Sequence, residues 1–262
     1  MRKRTTLALL GAVLAAVFVA VATTGCGSKS NQIVFCSDTT YPPMESLAGG
    51  KAVGADIDIA NAVAKQLGKT AQVNTTGFDV IIPALLDKKC DAIISAMTDT
   101  PERAKQVNFA DYITVGMLLM VKKGNPANIS DLNSLSGKTV AVEGATTEKA
   151  ALDAQNKTFA KQGKPKITIQ IFPKDTNAAI ALLAGKVDAY FADATPVLYY
   201  MKKNPGFEVA GKQIAAAPEG IATRKGDPLG PKFKKAIATL YSNGEMQKIL
   251  AKWGISQFAL VK

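Results

Sequence analysis

Strand and helix signals alternate along almost the whole chain, and that order restricts the fold more than any other feature. NQIVFCSD is β-branched and ends in turn formers. In DIDIANAVAKQLG, Ile57, Ala60, Val63, Ala64 and Leu67 recur at helical spacing, and Gly68 closes the helix. TAQVNTT reads as a strand, and FDVIIPALLDKK as a helix on Phe78, Ile81, Ile82, Leu85 and Leu86. Pro83 is tolerated there because the missing N–H costs little within the first turns. DAIISAM is a nearly continuous apolar run, the pattern of a strand buried on both faces.

MLLMVKKGN then opens a second unit of the same kind. KTVAVEGA, KITIQIFP, DAYFAD and FEVAG read as strands; TTEKAALDAQNKTFAKQG, DTNAAIALLAGK and ATPVLYYMKKN read as the helices between them. GIATRKGD returns as a strand, and the closing PLGPKFKKAIATLYSNGEMQKILAKWG is expected to form two helices broken at Gly244. Each half therefore fits an open α/β unit, without sequence repetition between them. The expected organisation is one lobe from residues 32–116 and 219–262 and another from 117–218. Strands near 117–122 and 219–225 would join them. Ligands in such sheets bind beyond the carboxyl ends of the strands, which points to the cleft between lobes.

The first residues have a different purpose. Arg2, Lys3 and Arg4 precede an apolar run from Leu7 to Ala22, the pattern of a secretory leader too short to span a bilayer. Thr24-Gly25-Cys26 looks like a bacterial lipobox, although Thr23 stands where leucine is usual. We expect residues 1–25 to be a signal peptide, Cys26 to be lipidated, and residues 26–31 to be a tether. The competing reading is simple cleavage with a free Cys26. No later stretch reaches 18 apolar residues.

Removing the three leader cations leaves 29 basic against 21 acidic side chains, a net of +8. The basic residues are scattered along helices without aromatic interleaving, so they read as a solvated face and not as a nucleic-acid surface. Histidine is absent, which excludes Ser-His-Asp triads and Cys-His pairs. Cys36 and Cys90 have no metal-ligand spacing. Export permits a disulfide, but Cys36 near the end of one strand and Cys90 at the start of another argue against it. No metal or cofactor is expected.

The polar residues expected after the strands form one set: Asp38, Tyr41, Phe78, Thr98, Arg103, Thr146, Thr147 and Asp193. Thr100 can cap a helix beginning at Pro101, which puts Arg103 in its first turn, against the helix dipole. A ligand carboxylate would resolve the conflict through a bidentate pair. Alternatively, Arg103 faces solvent or pairs with Glu102 or Asp99. Asp193 can hold an ammonium group or cap the following helix. Thr146 and Thr147 can offer free N–H groups or serve as caps. Tyr41 and Phe78 can sandwich a side chain or belong to the core. Asp38 either faces the pocket or caps the turn that follows it.

With these residues the chain resembles the polar amino-acid-binding proteins of bacterial ABC importers, solute-binding family 3. The resemblance covers essentially the whole exported part. It rests on SDTTYPPM, VGADIDIANAVAKQLG, GFDVIIPALLDKKCDAIISAMTDTPERAKQVNFADY, GKTVAVEGATT and GKVDAYFAD. It implies a two-lobed, type II periplasmic-binding-protein-like α/β fold. That fold would close over one free amino acid and deliver it to the transmembrane subunits of an ABC permease.

The resemblance assigns the ligand carboxylate to Arg103, Thr98 and the Thr146 backbone, and the ammonium to Asp193 and the Ala96 carbonyl. Tyr41 and Phe78 would pack on the side chain, with Asp38 at its polar end. Met97 and Thr147 complete the expected site. A monomer on the outer face of the cell membrane, or in the periplasm, is expected. Gly54-Ala55-Asp56, Met44, Glu45, Ala96, Met97 and Asp99 depart from the family pattern. Arginine or lysine fits Asp38 and Glu45 best on charge, while glutamine-type ligands also carry a polar end. The competing functions are an exported cyclohexadienyl dehydratase-like enzyme and a sensor that docks a membrane receptor.

Overall fold

The computed structural model describes residues 31–260. The leader and Cys26 lie outside the described residues.

Eleven strands and eight α-helices follow one another as β1 (Gln32–Ser37), β2 (Thr40–Tyr41), β3 (Glu45–Ala48), β4 (Lys51–Val53), α1 (Ala55–Gln66), β5 (Thr70–Thr75), α2 (Ile81–Leu86), β6 (Ala92–Ile93), α3 (Pro101–Ala104), β7 (Val107–Lys122), β8 (Thr139–Glu143), α4 (Thr147–Lys161), β9 (Thr168–Phe172), α5 (Asp175–Leu183), β10 (Ala189–Asp193), α6 (Ala194–Lys203), β11 (Phe207–Arg224), α7 (Leu229–Ser242) and α8 (Glu245–Trp253) among the described residues. Eight strands form one mixed sheet in the order β5-β1-β6-β11-β7-β10-β8-β9. β1 pairs in parallel with β5 and β6, and β8 with β9 and β10. Two parallel sets thus flank an antiparallel pair, β7 and β11, which runs through the middle.

The helices form where the apolar spacing placed them. α7 buries Phe233, Ala236, Ile237 and Leu240, an i, i+3, i+4, i+7 stripe. Each large side chain so buried contributes roughly 1.5–3 kcal/mol. Gly244, at φ 79°, ends this helix and starts α8, as a left-handed position favours glycine. Phe78–Val80 is a single 3₁₀ turn ahead of α2, so Pro83 falls at the third helical position.

Three features differ from the sequence expectation. The central strands are longer: β7 begins at Val107, and FEVAG and GIATRKGD are the two ends of one strand, β11. Register shifts at Ala210/Ile214, Ile214/Ala217 and Glu219/Gly220 break the alternation that would have shown its continuity. Next, β2, β3 and β4 form a separate three-stranded sheet in the segment read as a turn. Strands of two to four residues are too short to show a period.

The third difference is a correction. Cys36 and Cys90 form a disulfide, with their Cα atoms 5.7 Å apart. The expectation against it assumed strands in even register. Instead the short β6 starts beside the end of β1, with Phe35 opposite Ala92 and Cys36 opposite Ile93, and Cys90, two residues before β6, lies within bonding reach of Cys36. The bond lies in a core with Ile81, Leu85, Ile93, Met97 and Phe109. It closes a loop of 54 residues, for which chain entropy gives a stabilisation of roughly 2–4 kcal/mol. The double variant C36A/C90A is expected to unfold several degrees lower by calorimetry, with ligand binding retained at low temperature.

Candidate ligand-binding site

The expected polar residues do gather at carboxyl ends of the strands. One pocket is lined by Asp38, Tyr41, Phe78, Ala96, Thr98 and Arg103 from the first half, and by Thr146, Thr147 and Asp193 from the second. Met97 is the exception. Its side chain packs in the disulfide core, 1% exposed, because the alternation after β6 turns it away from its neighbours Ala96 and Thr98.

α3 begins as its sequence dictates. Pro101 is its first residue, and the Thr100 side chain accepts from the Arg103 N–H. The Arg103 guanidinium pairs with neither Glu102 nor Asp99. Nη1 donates to the Thr98 carbonyl (3.0 Å) and Nη2 to the Ala145 carbonyl of the other half (3.2 Å). It also lies over the Phe78 ring, 5.2 Å from the centroid, within cation–π range. Part of the donor fork is used this way, and the remainder is available to an anion. Burial lowers the Arg103 pKa, while Glu148, Asp193 and Glu219 oppose that shift.

Asp193 ends β10 and occupies the N-cap position of α6, yet its side chain makes no capping hydrogen bond. The Tyr41 hydroxyl donates to Asp193 Oδ2 (3.0 Å) and accepts from the Asp193 N–H (3.0 Å), tying the small β2–β4 sheet to the second half. Burial raises the Asp193 pKa; hydrogen bonds from Glu148 and Tyr41 and the charge of Arg103 act the other way. Glu148 is raised well above its ordinary range by burial and by Asp193.

Thr146 caps α4: its hydroxyl accepts from the Lys149 N–H (3.2 Å) and donates to the Glu143 carbonyl (3.0 Å). The Thr147 hydroxyl donates to Glu148 (3.1 Å). Both hydroxyls are therefore engaged, and what this helix offers a ligand is its N-terminal N–H field. Asp38 lines the pocket but is also anchored, accepting from Thr40 Oγ1 (2.7 Å) and the Phe78 N–H (2.9 Å). Ala96 has a positive φ of 41°, held by its N–H donating to Asp56 (2.7 Å).

Four more residues reach the pocket: Glu45, Ser95, Glu143 and Glu148. Glu45 and Glu143 are legible as carboxylates near the cleft, whereas the neighbours of Ser95 and Glu148 in sequence carry no signal for either. Ser95 Oγ donates to Glu45 (2.8 Å) and accepts from the Asp38 N–H (2.8 Å). Behind Glu45 lies buried Asp56, which accepts from the Tyr112 hydroxyl (2.7 Å). Burial and Asp56 push Glu45 well up. Burial holds Asp56 at about 6.

The lining thus carries five carboxyl groups, from Asp38, Glu45, Glu143, Glu148 and Asp193, and one cation, Arg103. Among the described residues no group of acidic and cysteine side chains has metal-holding geometry, and no helix is long and apolar enough to cross a membrane. The arrangement suits recognition of a small molecule that carries both charges.

Fold and site together define a two-lobed, type II periplasmic-binding-protein-like scaffold with a charged interlobe pocket. The chain belongs to the bacterial extracellular solute-binding proteins, family 3, whose sequence profile matches residues 33–256. It is similar to the ABC transporter arginine-binding protein 1 of Escherichia coli K12, 33% identical over 235 residues, covering 86% of this chain and 92% of that protein. It is also similar to the ABC transporter glutamine-binding protein GlnH of Bacillus subtilis, 32% identical over 232 residues, covering 86% and 81%. Among solved structures, an ancestral arginine-binding protein bound to arginine superposes with a TM-score of 0.78 at 37% identity, covering 85% of this chain and 98% of that one.

Proposed function

We propose that this protein captures an L-amino acid, arginine- or lysine-type by preference, and delivers it to an ABC permease. One observation carries the reading: Arg103 and Asp193 approach a single pocket from opposite halves, a cation and an anion matched to an α-carboxylate and an α-ammonium. Asp38 and Glu143, carboxyl groups in the wall besides Asp193, offer acceptor oxygens to a second donor group on the ligand. The names of the relatives support the same ligand class.

In this reading residues 32–116 with 219–262 form one lobe and 117–218 the other. Arg103 and Thr98, with the N–H groups at the start of α4, take the carboxylate. Asp193 and the Ala96 carbonyl take the ammonium, Phe78 and Tyr41 flank the side chain, and Asp38 stands at its far end. Because the ligand touches both lobes, it favours the closed arrangement by differential contact. We place no reaction in the pocket, in keeping with relatives that are named as binding proteins. Lipidation at Cys26, with a monomer held at the outer membrane face, completes the proposal.

A thermal-shift screen of the natural amino acids tests it. A ligand about a hundredfold above its Kd stabilises the fold by about 2.7 kcal/mol, which raises the midpoint by roughly 5–10 °C for a chain of this size. Arginine or lysine is expected to give the largest shift. No shift with any amino acid would refute the reading.

A further inference from the structure

The acidic groups around the pocket fall into two overlapping sets, with Glu148 in both. The charges acting most strongly on Arg103 are those of Glu148, Asp193 and Glu219. Those acting on Glu143 are Asp175, Asp38 and Glu148. The first set makes the zwitterion end already described. At the other end Glu143, the last residue of β8, faces Asp38 of the opposite half.

The lining carboxyl groups differ in what they have left to offer. Asp38 accepts from Thr40 and Phe78, and Asp193 from Tyr41. Glu143 is 5% exposed, and its Oε1, like Glu45 Oε2 and Glu148 Oε1, has no hydrogen-bond partner among the described residues. Glu45 and Glu148 each interact with a neighbouring carboxyl group, Asp56 and Asp193, whereas Glu143 lines the pocket beside Asp38. A buried oxygen left so is unfavourable by about 1–3 kcal/mol unless something else meets it.

We propose that Glu143 is the selector of the ligand side chain, its Oε1 accepting from a terminal guanidinium or ammonium held between it and Asp38. The inference rests on the amino-acid reading above and deepens it: the favoured ligands are L-amino acids with a cationic end. It has a second consequence, in protons. Burial, with Asp175 and Asp38 close by, pushes Glu143 up to about 10, so it is neutral at pH 7. The other groups facing it are Glu148 on α4, Tyr190 on β10 and Tyr200 on α6, while Lys174, at the N-cap position of α5, acts on its neighbour Asp38. When a cationic side chain docks, the Glu143 carboxyl gives its proton to solvent and the resulting carboxylate pairs with the ligand. Arginine binding therefore releases about one proton that glutamine binding does not.

Calorimetric titration of arginine and glutamine at pH 7, in two buffers of different ionisation enthalpy, tests this on the exported chain and on E143Q and E143D. In E143Q the preference for arginine over glutamine is expected to fall about 10- to 100-fold, and the proton release with arginine to vanish. E143D keeps a carboxyl group and is expected to keep the release. An unchanged preference in E143Q, an equal loss of both ligands, or an undiminished proton release overturns the assignment and leaves the amino-acid reading standing. If the unsubstituted protein binds neither ligand, that reading itself fails and takes this one with it.

Discussion

Replacement of Arg103 by alanine is expected to remove measurable binding of every α-amino acid, whatever its side chain. Truncating one member of a desolvated, hydrogen-bonded charge pair costs roughly 2–5 kcal/mol, about 30- to several-thousand-fold in affinity. The fold is expected to survive. Arg103 is only partly buried, and its carbonyl partners, Thr98 and Ala145, lie beside the cleft where water can replace it. R103K would keep the charge without the planar fork and is expected to fall in between. Calorimetry with arginine, lysine and glutamine checks the series. Near-normal binding by R103A would defeat the role assigned to this side chain.

The second large effect is expected at Asp193. Asn at this position can still accept from Tyr41, so the tie across the cleft is preserved while the charge is lost. Affinity for all α-amino acids should drop by roughly 2–3 kcal/mol, about 30- to 150-fold, the range for a hydrogen bond to a charged group. The pH dependence follows with a definite sign. Burial raises Asp193, so its charge, and with it ligand affinity, is lost on acidification at a pH above the ordinary aspartate range. In D193N that acid limb should disappear for glutamine, whose binding takes no proton from Glu143. A variant that keeps the acid limb and binds ligand normally would show that the ammonium sits elsewhere.

Much of this site was legible in the sequence. TDTPER specified its own cap, and the start of α3 is where Thr100 and Pro101 put it. Arg103, Asp193 and Thr146 follow strands whose apolar runs were plain, so their arrival at one pocket follows from α/β topology. The rest depended on information that local pattern does not hold. The disulfide turned on a stagger between β1 and β6, a property of pairing and not of either strand alone. Met97 was drawn in with its neighbours, although alternation sends it to the core. Ser95 and Glu148 act through partners about fifty residues away in one case and across the pocket in the other. Nothing nearby in sequence announces them. The short strands β2 to β4 lie below the length at which a period can be recognised.

The long central strands also determine what kind of movement the molecule can make. β7 and β11 pair through both halves, so sliding one half past the other would tear a ladder of hydrogen bonds from end to end. Bending asks for much less. At the three register shifts the ladder is already interrupted, and Pro218 between two of them contributes no N–H to lose. A two-stranded ribbon of this kind behaves as a leaf spring: stiff in its own plane, compliant across it, and returning to the same course after each flexure.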